Sequence, residues 1–276
     1  MIEIPEAVTL AEQIKKTIRG KEIVHVTAAY TPHKFAWYYG EPDKYKERLK
    51  GRAVTDAKAY GGMVEMKADD AIILLSDGIA FRYHNKEDKH PKKHQLMIEF
   101  SDGSAVSASV QMYGGMWCYN EGDKFEYDYY RGSKEKPSPL SNEFNEVYFD
   151  KLISSENVQK LSVKGVLATD QRIPGFGNGV LQDILWRGKI HPKCKVSTLS
   201  DNHKEVLYKS IKEVLLEMTK LGGRDTEKDL YGNNGLYKTK MSKNTLGDPC
   251  SLCGGNIKKE AYLGGSIYYC ESCQET

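Results

Sequence analysis

The sequence lacks a long hydrophobic run. Its 276 residues have a mean hydropathy of −0.58, and the longest uninterrupted aliphatic stretch covers only residues 71–75. A membrane-spanning helix needs about 20 apolar residues, so none is expected. The opening MIEIPEAVTL has neither the basic start nor the apolar core of a secretory signal. We therefore expect a cytoplasmic protein that is not held in a membrane.

Cysteine is also scarce. The six cysteines are too few and too unevenly placed for a disulfide framework. A thioredoxin-like redox site needs one Cys-x-x-Cys pair, whereas two such pairs joined by a hairpin are typical of a zinc ribbon. Two pairs with sixteen residues between them lie near the end of the chain: Cys250, Cys253, Cys270 and Cys273. Their spacing predicts zinc as the cofactor.

Net charge is small. A formal charge of +2 does not by itself indicate a strong polyanion binder. The charge is unevenly distributed, because residues 151–276 carry 19 Lys+Arg against 14 Asp+Glu, and the remainder carries 21 against 24. The basic surplus lies in the half with the cysteine pairs, as expected if that half faces nucleic acid. A difference of a few charges also fits ordinary surface variation, so both interpretations stay open.

An amphipathic helix is predicted to begin at Ile4. Pro5 is tolerated in a first helical turn, and Gly20 is a typical stop signal. The apolar stripe of this helix consists of Val8, Ala11, Ile14 and Ile18. From residue 21 to about residue 130 the pattern changes to short β-rich segments separated by Ser-Asp-Gly turns. The predicted strands are 22–28, 63–67, 71–75, 95–100 and 105–112. Several short strands at this spacing indicate an antiparallel sandwich or barrel.

The second half of the chain has helical periodicity. Residues 131–141, RGSKEKPSPLS, have no periodicity and predict a linker. The helices predicted beyond it are 143–152, 155–161, 178–187 and 201–221, the last with Ser200 as its N-cap. The fold class is therefore α+β with several domains. We predict a β-sandwich domain at 1–130, the linker, a helical domain at 142–245 and a zinc ribbon at 246–276.

Five strings carry a family resemblance. They lie in one order along the chain and are EIPEA (3–7), IPGFGN (173–178), DILWRGKIHP (183–192), GGRDTEKDLYG (222–232) and PCSLCGG…YYCESCQ (249–274). Together they resemble the Fpg/Nei family of bacterial DNA glycosylases, with its helix–two-turns–helix segment and zinc finger. The resemblance implies base-excision repair by a DNA glycosylase and AP lyase. It further implies damaged duplex DNA as the partner, a monomer, and a place at the nucleoid in the cytoplasm.

A phosphate site is predicted where the turn Gly175-Phe176-Gly177-Asn178 precedes a helix. Backbone N–H groups at a helix N-terminus favour an anion. Lys164 lies fourteen residues before Asn178, the spacing at which family members keep a phosphate-binding lysine. The resemblance therefore implies that Lys164 and Asn178 bind phosphates that flank the lesion. The alternatives are that Asn178 is only a helix cap and that Lys164 is a solvated surface side chain.

The resemblance also implies a catalytic N-terminus. Family members attack the sugar with an N-terminal amine, usually of a proline exposed by removal of the initiator methionine, and an adjacent glutamate moves protons. Here that glutamate is Glu3 and a second acid is Glu6, but Ile2 replaces the proline. A primary amine can also form a Schiff base, so the resemblance assigns the amine to Ile2. If Met1 is retained, the amine is displaced by one residue and the attack geometry changes.

Other positions depart from the family. Gly61 and Gly62 lie where many members have a hairpin lysine, and Asp77 lies near a lesion-side methionine. Met112 replaces the arginine of a gap-filling loop, although Tyr113 can still stack in the space left by a flipped base. Gly265 replaces an arginine of the zinc hairpin, which removes both its charge and its bidentate geometry.

Two functions therefore remain open. The first is a glycosylase and AP lyase with altered chemistry, which Glu3 and Glu6 favour. The second is a non-catalytic DNA- or RNA-binding paralogue on the same scaffold, which the missing groups favour. Carboxylates in a first helical turn also stabilise the helix dipole, so Glu3 and Glu6 fit the second function as well.

Overall fold

A computed structural model describes residues 1–274 of the chain. The chain opens with helix α1 (Ile4–Ile18), as its apolar spacing predicts. Ile14 and Ile18 on this stripe are completely buried. Gly20 follows the helix with a φ of +84°, a conformation that glycine adopts without a steric cost. The helix thus ends where the sequence predicts.

Two antiparallel sheets form a sandwich against α1. The strands are β1 (Ile23–Ala28), β2 (Ala36–Trp37), β3 (Val54–Tyr60), β4 (Met63–Ala68), β5 (Ala71–Ser76), β6 (Ile79–His84), β7 (Leu96–Phe100), β8 (Ala105–Val110) and β9 (Gly114–Asn120). One sheet has the order β1-β7-β8-β6 and the other the order β2-β9-β5-β4-β3, in which β2 pairs parallel with β9. A short helix, α2 (Tyr45–Leu49), packs against β1 and β9. The predicted sandwich is confirmed.

The strands that the sequence does not predict lack a clear alternation of apolar residues. β3 is half exposed, β6 contains Arg82 and His84, and β9 begins with two glycines. Those glycines are required by packing, because a Cβ at Gly114 or Gly115 would lie less than 3.0 Å from the side chain of Ile79 or Trp117. Residue propensities do not reveal this packing, so the sequence does not predict β9.

The predicted linker is partly helical. Helix α3 (Asp128–Glu135) extends into it and covers the outer face of the five-stranded sheet. That face carries a second apolar cluster rich in aromatic residues, in which Trp117 and Tyr130 are buried. Tyr130 also donates a hydrogen bond to buried Glu65, whose carboxylate lies 3.0 Å from Lys134 Nζ. Burial of α3 against this cluster explains why a charged, Pro- and Ser-containing segment begins as a helix.

The helical domain contains α4 (Glu146–Ser154), α5 (Val163–Leu167), α6 (Asn178–Arg187) and α7 (Asp201–Lys220). The prediction for α6 is confirmed at both ends, and Ser200 caps α7 by accepting a hydrogen bond from His203 N at 3.2 Å. The helix predicted at 155–161 is wrong: this stretch contains only a 3₁₀ turn, Glu156–Val158. Ser162 then caps the separate helix α5, accepting from Gly165 N at 3.0 Å. The cap lies directly after the predicted stretch, so the regular helix begins there and not at residue 155.

The end of the chain is a hairpin of β10 (Ile257–Tyr262) and β11 (Gly265–Cys270). Gln182 on α6 joins it to the helical domain, since its amide donates to Ser266 O and accepts from Tyr268 N, both at 2.9 Å. Gln274 donates to Ile190 O at 2.9 Å. Within residues 1–274, no helix is long and apolar enough to cross a membrane.

Candidate active site and nucleic-acid interface

The start of the chain lies in a cleft of about 600 Å³ between the sandwich, the helical domain and the hairpin. Residues of all three parts line it, among them Met1, Asp77, Tyr113, Asn178, Glu227 and Ser266. A second cavity of about 410 Å³ also reaches Met1 and Glu227. The tertiary fold therefore brings the amino terminus to the junction of the domains.

Met1 and Ile2 have different surroundings. The Ile2 side chain is buried in the sandwich core, and its backbone N–H donates to Asp77 O at 2.9 Å. Met1 is 40% exposed, and its α-amino nitrogen lies 2.6 Å from Glu227 Oε2. In the chain as it stands, the amine in the cleft belongs to Met1, and the nitrogen of Ile2 is an amide held by the β5–β6 turn.

Glu3 occupies the N-terminus of α6. Its two carboxylate oxygens accept hydrogen bonds from Gly179 N at 2.9 Å and from Val180 N at 2.8 Å. A Cβ at Gly177 or Gly179 would lie less than 3.0 Å from this carboxylate, so both glycines permit its approach. The sequence predicts that backbone N–H groups at this helix N-terminus bind phosphate. For the N–H groups of Gly179 and Val180 that prediction is wrong, because the anion they bind is the carboxylate of Glu3.

Arg224 joins Glu3 to Glu6, and the three side chains are buried. Its Nε and Nη2 donate to the two oxygens of Glu6 at 2.9 and 2.7 Å, and its Nη1 lies 3.4 Å from Glu3 Oε1. Burial raises the pKa of Glu3 despite the opposing charge of Arg224. At Glu6 burial acts in the same direction, but the Arg224 guanidinium outweighs it and lowers the pKa. Sequence reasoning missed Arg224, although two acids at the start of a buried helix require a cation.

The hairpin covers the two predicted phosphate ligands. Lys164 is 1% exposed and donates from Nζ to Tyr262 O, and burial lowers its pKa. It is therefore not a solvated surface lysine. Asn178 is the first residue of α6 rather than its cap, and its buried Oδ1 has no hydrogen-bond partner within residues 1–274. A Cβ at Gly265 would lie less than 3.0 Å from Asn178 Nδ2. A side chain at position 265 therefore requires the Asn178 amide to move.

The absence of a lysine from the turn between β3 and β4 has a steric explanation. The turn between β3 and β4 contacts the loop before α6, and a Cβ at Gly61 would lie 2.9 Å from Pro174 C, while one at Gly62 would lie 2.9 Å from Ile2 O. Gly175 has a φ of +76°, and a Cβ there would lie less than 3.0 Å from the Gly61-Gly62 backbone. A glycine at position 175 therefore permits the close contact between the sandwich and the helical domain.

Tyr113 lies at the rim of the cleft in the β8–β9 turn. Its carbonyl accepts from Gly78 N at 2.9 Å, which joins this turn to the β5–β6 turn that contains Asp77. The ring packs against Trp37 with centroids 5.7 Å apart, and neighbouring Met112 is 67% exposed. Burial raises the pKa of Asp77. The rim thus presents aromatic and apolar side chains, suited to stacking on a base.

The four cysteines of the hairpin fit zinc. Their sulfur atoms all lie within 4.8 Å of one another, with Cys250 Sγ 3.8 Å from Cys273 Sγ and Cys253 Sγ 3.4 Å from Cys270 Sγ. Tetrahedral ligands at the usual zinc–sulfur distance are roughly 3.8 Å apart. Trp186 Nε1 also points at Cys250 Sγ from 3.2 Å, the kind of outer donor that stabilises a metal-bound thiolate.

The fold matches a class of DNA glycosylases built from a sandwich, a helix–two-turns–helix domain and a zinc ribbon. The family model described as Formamidopyrimidine-DNA glycosylase N-terminal domain matches residues 1–116. The model of the Formamidopyrimidine-DNA glycosylase H2TH domain matches residues 136–229. The chain belongs to the Fpg/Nei family.

Relatives match along their whole length. The formamidopyrimidine-DNA glycosylase of Lactobacillus delbrueckii subsp. bulgaricus is 27% identical over 286 residues, covering 100% of each chain. That of Lactococcus lactis subsp. cremoris is 26% identical over 283 residues with the same coverage. The crystal structure of Lactococcus lactis Fpg with DNA that contains an abasic site has a TM-score of 0.83 and 25% identity, over 99% of this chain and 100% of that one. A complex of the same enzyme with N7-benzyl-Fapy-dG DNA has a TM-score of 0.84.

Proposed function

We propose that this protein is a zinc-containing DNA glycosylase and AP lyase that acts on damaged duplex DNA at the nucleoid. The observation that carries the proposal is the position of the amino terminus in a cleft between the sandwich and the helix–two-turns–helix domain. The Lactococcus lactis relatives were crystallised with abasic-site DNA and with Fapy-dG DNA, which supports a duplex with a lesion as the partner.

The reaction begins at the amine in the cleft. With Met1 in place this is the α-amine of Met1, because an amide nitrogen at Ile2 has no available lone pair. The neutral amine attacks C1′ of the damaged nucleotide, and the base leaves with the electrons of its bond to C1′ and takes up the proton released by the nitrogen. The C1′–O4′ bond of the sugar then breaks, the ring oxygen takes up a proton, and the nitrogen lone pair closes the imine. Loss of a C2′ proton from the imine then expels the 3′-phosphate. If Met1 is removed, the new amine at Ile2 lies at the nitrogen that now contacts Asp77 O at 2.9 Å.

The remaining groups bind the DNA. Asn178, which lines the cleft, and Lys164 are the proposed phosphate ligands, and Lys164 must release Tyr262 O beneath the hairpin tip to reach a phosphate. Tyr113 at the rim occupies the stack after a base is flipped. Bound to Cys250, Cys253, Cys270 and Cys273, zinc supplies folding energy to the ribbon and takes no part in the reaction.

The alternative is a binding protein without catalysis. It is favoured by Glu3, whose carboxylate is held by α6 and Arg224, and by the backbone atoms that crowd any side chain at Gly61 or Gly62. On this alternative the cleft still accommodates a distorted duplex.

Borohydride trapping distinguishes the two functions. The purified protein is first weighed intact to establish whether Met1 is present, then mixed with a duplex that contains one abasic site and reduced. An enzyme yields a covalent adduct whose peptide map carries the DNA on the N-terminal peptide. A matched variant with an uncleaved Gly-Ser extension before Met1 should bind the duplex and yield no such adduct. Tight binding without any adduct by the unextended protein supports the non-catalytic alternative.

A further inference from the structure

We propose that the protein has a binding surface for single-stranded DNA beside its cleft. Three segments at one end of the sandwich form this surface: residues 29–39, 89–95 and 111–115. The inference goes beyond the proposed function, because that function concerns a lesion held in a duplex. The occupant of the surface is an unpaired stretch of the same DNA, which continues outwards from the rim of the cleft at Tyr113.

The pairing of the strands places the three segments at the same end of one sheet. Ala28 at the end of β1 pairs with Leu96 at the start of β7, and Ile79 at the start of β6 pairs with Val110 at the end of β8. Because β7 and β8 are also antiparallel, all four strand ends lie on one side of the sheet. The β5–β6 turn leaves from this side, and its residue Asp77 lines the cleft. The surface is therefore continuous with the rim.

Backbone hydrogen bonds join the three segments. Thr31 N donates to His94 O at 3.0 Å, which connects the first segment to the second. Gly114 N donates to Phe35 O at 3.0 Å, which connects the first segment to the third. The segment after β1 thus lies between the other two and is held by both.

Aromatic rings on this surface are open to solvent. Tyr30 is 62% exposed, and its ring stacks on His94 with the centroids 4.7 Å apart and the planes within 6° of each other. One face of the Tyr30 ring is thereby supported and the other is free. Phe35 is 47% exposed and Trp37 is 42% exposed, and the latter leans against Tyr113 at the rim. Exposed rings of this kind form a platform on which unpaired bases stack.

The charge of the surface is entirely basic. The first 150 residues carry 21 Lys+Arg against 24 Asp+Glu, yet the three segments contain three histidines, no aspartate and no glutamate. Their four lysines are Lys34, Lys89, Lys92 and Lys93. Lys34 Nζ lies 5.4 Å from the centroid of the Phe35 ring, so a cation accompanies the rings directly. A basic surface suits a phosphate backbone.

The four lysines are also available for a ligand. None of them forms an ion pair with a carboxylate among residues 1–274. The acids of the β6–β7 loop, Glu87 and Asp88, lie nearer the other end of the sheet, where β6 ends. There Asp88 accepts a hydrogen bond from Asn85 N at 2.7 Å.

Unpaired DNA fits these features better than a duplex or an acidic protein. A duplex keeps its bases stacked on one another, so its bases do not reach rings on a protein surface. An acidic peptide pairs with lysines but has no flat groups for several exposed rings. A strand opened beside the cleft supplies both phosphates and bases, and it reaches the surface directly from Tyr113 at the rim.

Fluorescence anisotropy of the full-length protein with undamaged DNA tests the surface. Three labelled probes are compared: a blunt duplex, the same duplex with an unpaired oligothymidine arm on each strand at one end, and single-stranded oligothymidine. Arms of about ten nucleotides are within the length that single-strand sites cover. We expect the forked duplex to bind at least about fivefold more tightly than the blunt duplex, the factor that one additional base–aromatic stack provides.

Single variants assign this gain to the surface. Tyr30→Ala and Trp37→Ala should each lower the ratio of forked to blunt affinity by about fivefold, whereas Trp37→Phe should keep most of the ratio because a ring remains. Lys92→Gln combined with Lys93→Gln should reduce the salt dependence of oligothymidine binding. Tyr231→Ala is the matched control, since Tyr231 is a 48% exposed tyrosine outside the three segments.

Three results would overturn the assignment. The first is equal affinity of the parent protein for the forked and the blunt duplex, and the second is an unchanged ratio in folded Tyr30→Ala and Trp37→Ala. The third concerns an acidic protein as the occupant: labelled oligoglutamate that loses affinity in the alanine variants, while oligothymidine does not, would assign the surface to such a partner. Thermal unfolding of each variant establishes that it is folded.

The test is independent of catalysis. No probe carries a lesion, so a protein without glycosylase or lyase activity gives the same anisotropy results. Failure of the proposed function is seen in borohydride trapping, and failure of the single-strand surface is seen in the ratio of forked to blunt affinity.

Discussion

Arg224 Nη2 lies 2.7 Å from Glu6 Oε2 in the buried space between the first helix and the end of α7. The contact joins the sixth residue of the chain to a residue far along the sequence, and it includes Glu3 through Nη1. One guanidinium thereby holds two buried carboxylates, sets the position of α1 against the helical domain and determines where the amino terminus emerges.

Replacing Arg224 by methionine should destabilise the protein by about 3–5 kcal/mol at pH 7, because two buried carboxylates lose their cation. Urea unfolding measures the change. Burial already raises the pKa of Glu3, and without Arg224 both acids bind protons more readily when folded than when unfolded. The variant should therefore regain stability as the pH falls from 7 towards about 4.3, which is the pKa of glutamate in the unfolded state.

Arg187→Met is the matched control. Arg187 forms ion pairs with Glu213 and Glu217 that are about half exposed. Exposed pairs contribute at most about 1 kcal/mol. An equal loss in both variants would contradict the role given to Arg224.

Asn178→Ala should weaken DNA binding by about 1–2 kcal/mol on every duplex sequence tested, as loss of a phosphate contact does. Protein stability should not fall, because the buried Oδ1 has no partner to lose among the described residues. Fluorescence anisotropy with several duplexes measures the affinities, and exposed Asn202→Ala on α7 is the control. Unchanged affinity for Asn178→Ala would refute the phosphate role.

Gly265→Ala should weaken DNA binding through Asn178, because the added methyl displaces the Asn178 amide. The effects of Gly265→Ala and Asn178→Ala should then not add: the double variant should bind as weakly as Asn178→Ala alone. Gly132→Ala is the control, since a Cβ there has nothing within 4 Å and Gly132 lies in helix α3. Additive losses would show that the two positions act separately.

Removal of zinc should unfold the ribbon and leave the sandwich intact. The buried cluster at the ribbon is small, comprising Cys250, Ile257 and Cys270 with Met241 from the preceding segment, so metal binding provides much of the ribbon's folding energy. Cys253→Ser should lose the zinc found in the parent protein, and the fluorescence of Trp186 should change because its indole contacts Cys250 Sγ. Cys194→Ser, outside the cluster, should retain one zinc per chain. Zinc retention by Cys253→Ser would contradict the assigned ligand set.

Local patterns in the sequence determined much of the architecture. The apolar stripe of α1, the Ser200 cap of α7, the bounds of α6 and the cysteine spacing each depend on neighbours a few residues apart. Such periodicities and caps are readable from the chain alone, and the structure confirms these elements. Strand β9 was not predicted because its glycines are required by packing against Ile79 of β6 and against Trp117 further along β9.

Only the tertiary structure decided how the site is arranged. The carboxylate of Glu3 lies on the backbone of α6, Arg224 joins it to Glu6, and Glu227 meets the amine of Met1. These partners are more than 170 residues apart in the sequence, and no local spacing encodes them. Packing of the hairpin decided the rest, because it covers Lys164 and brings Gly265 against Asn178. The sequence determined which groups are present, and the packing of three domains decided which of them meet.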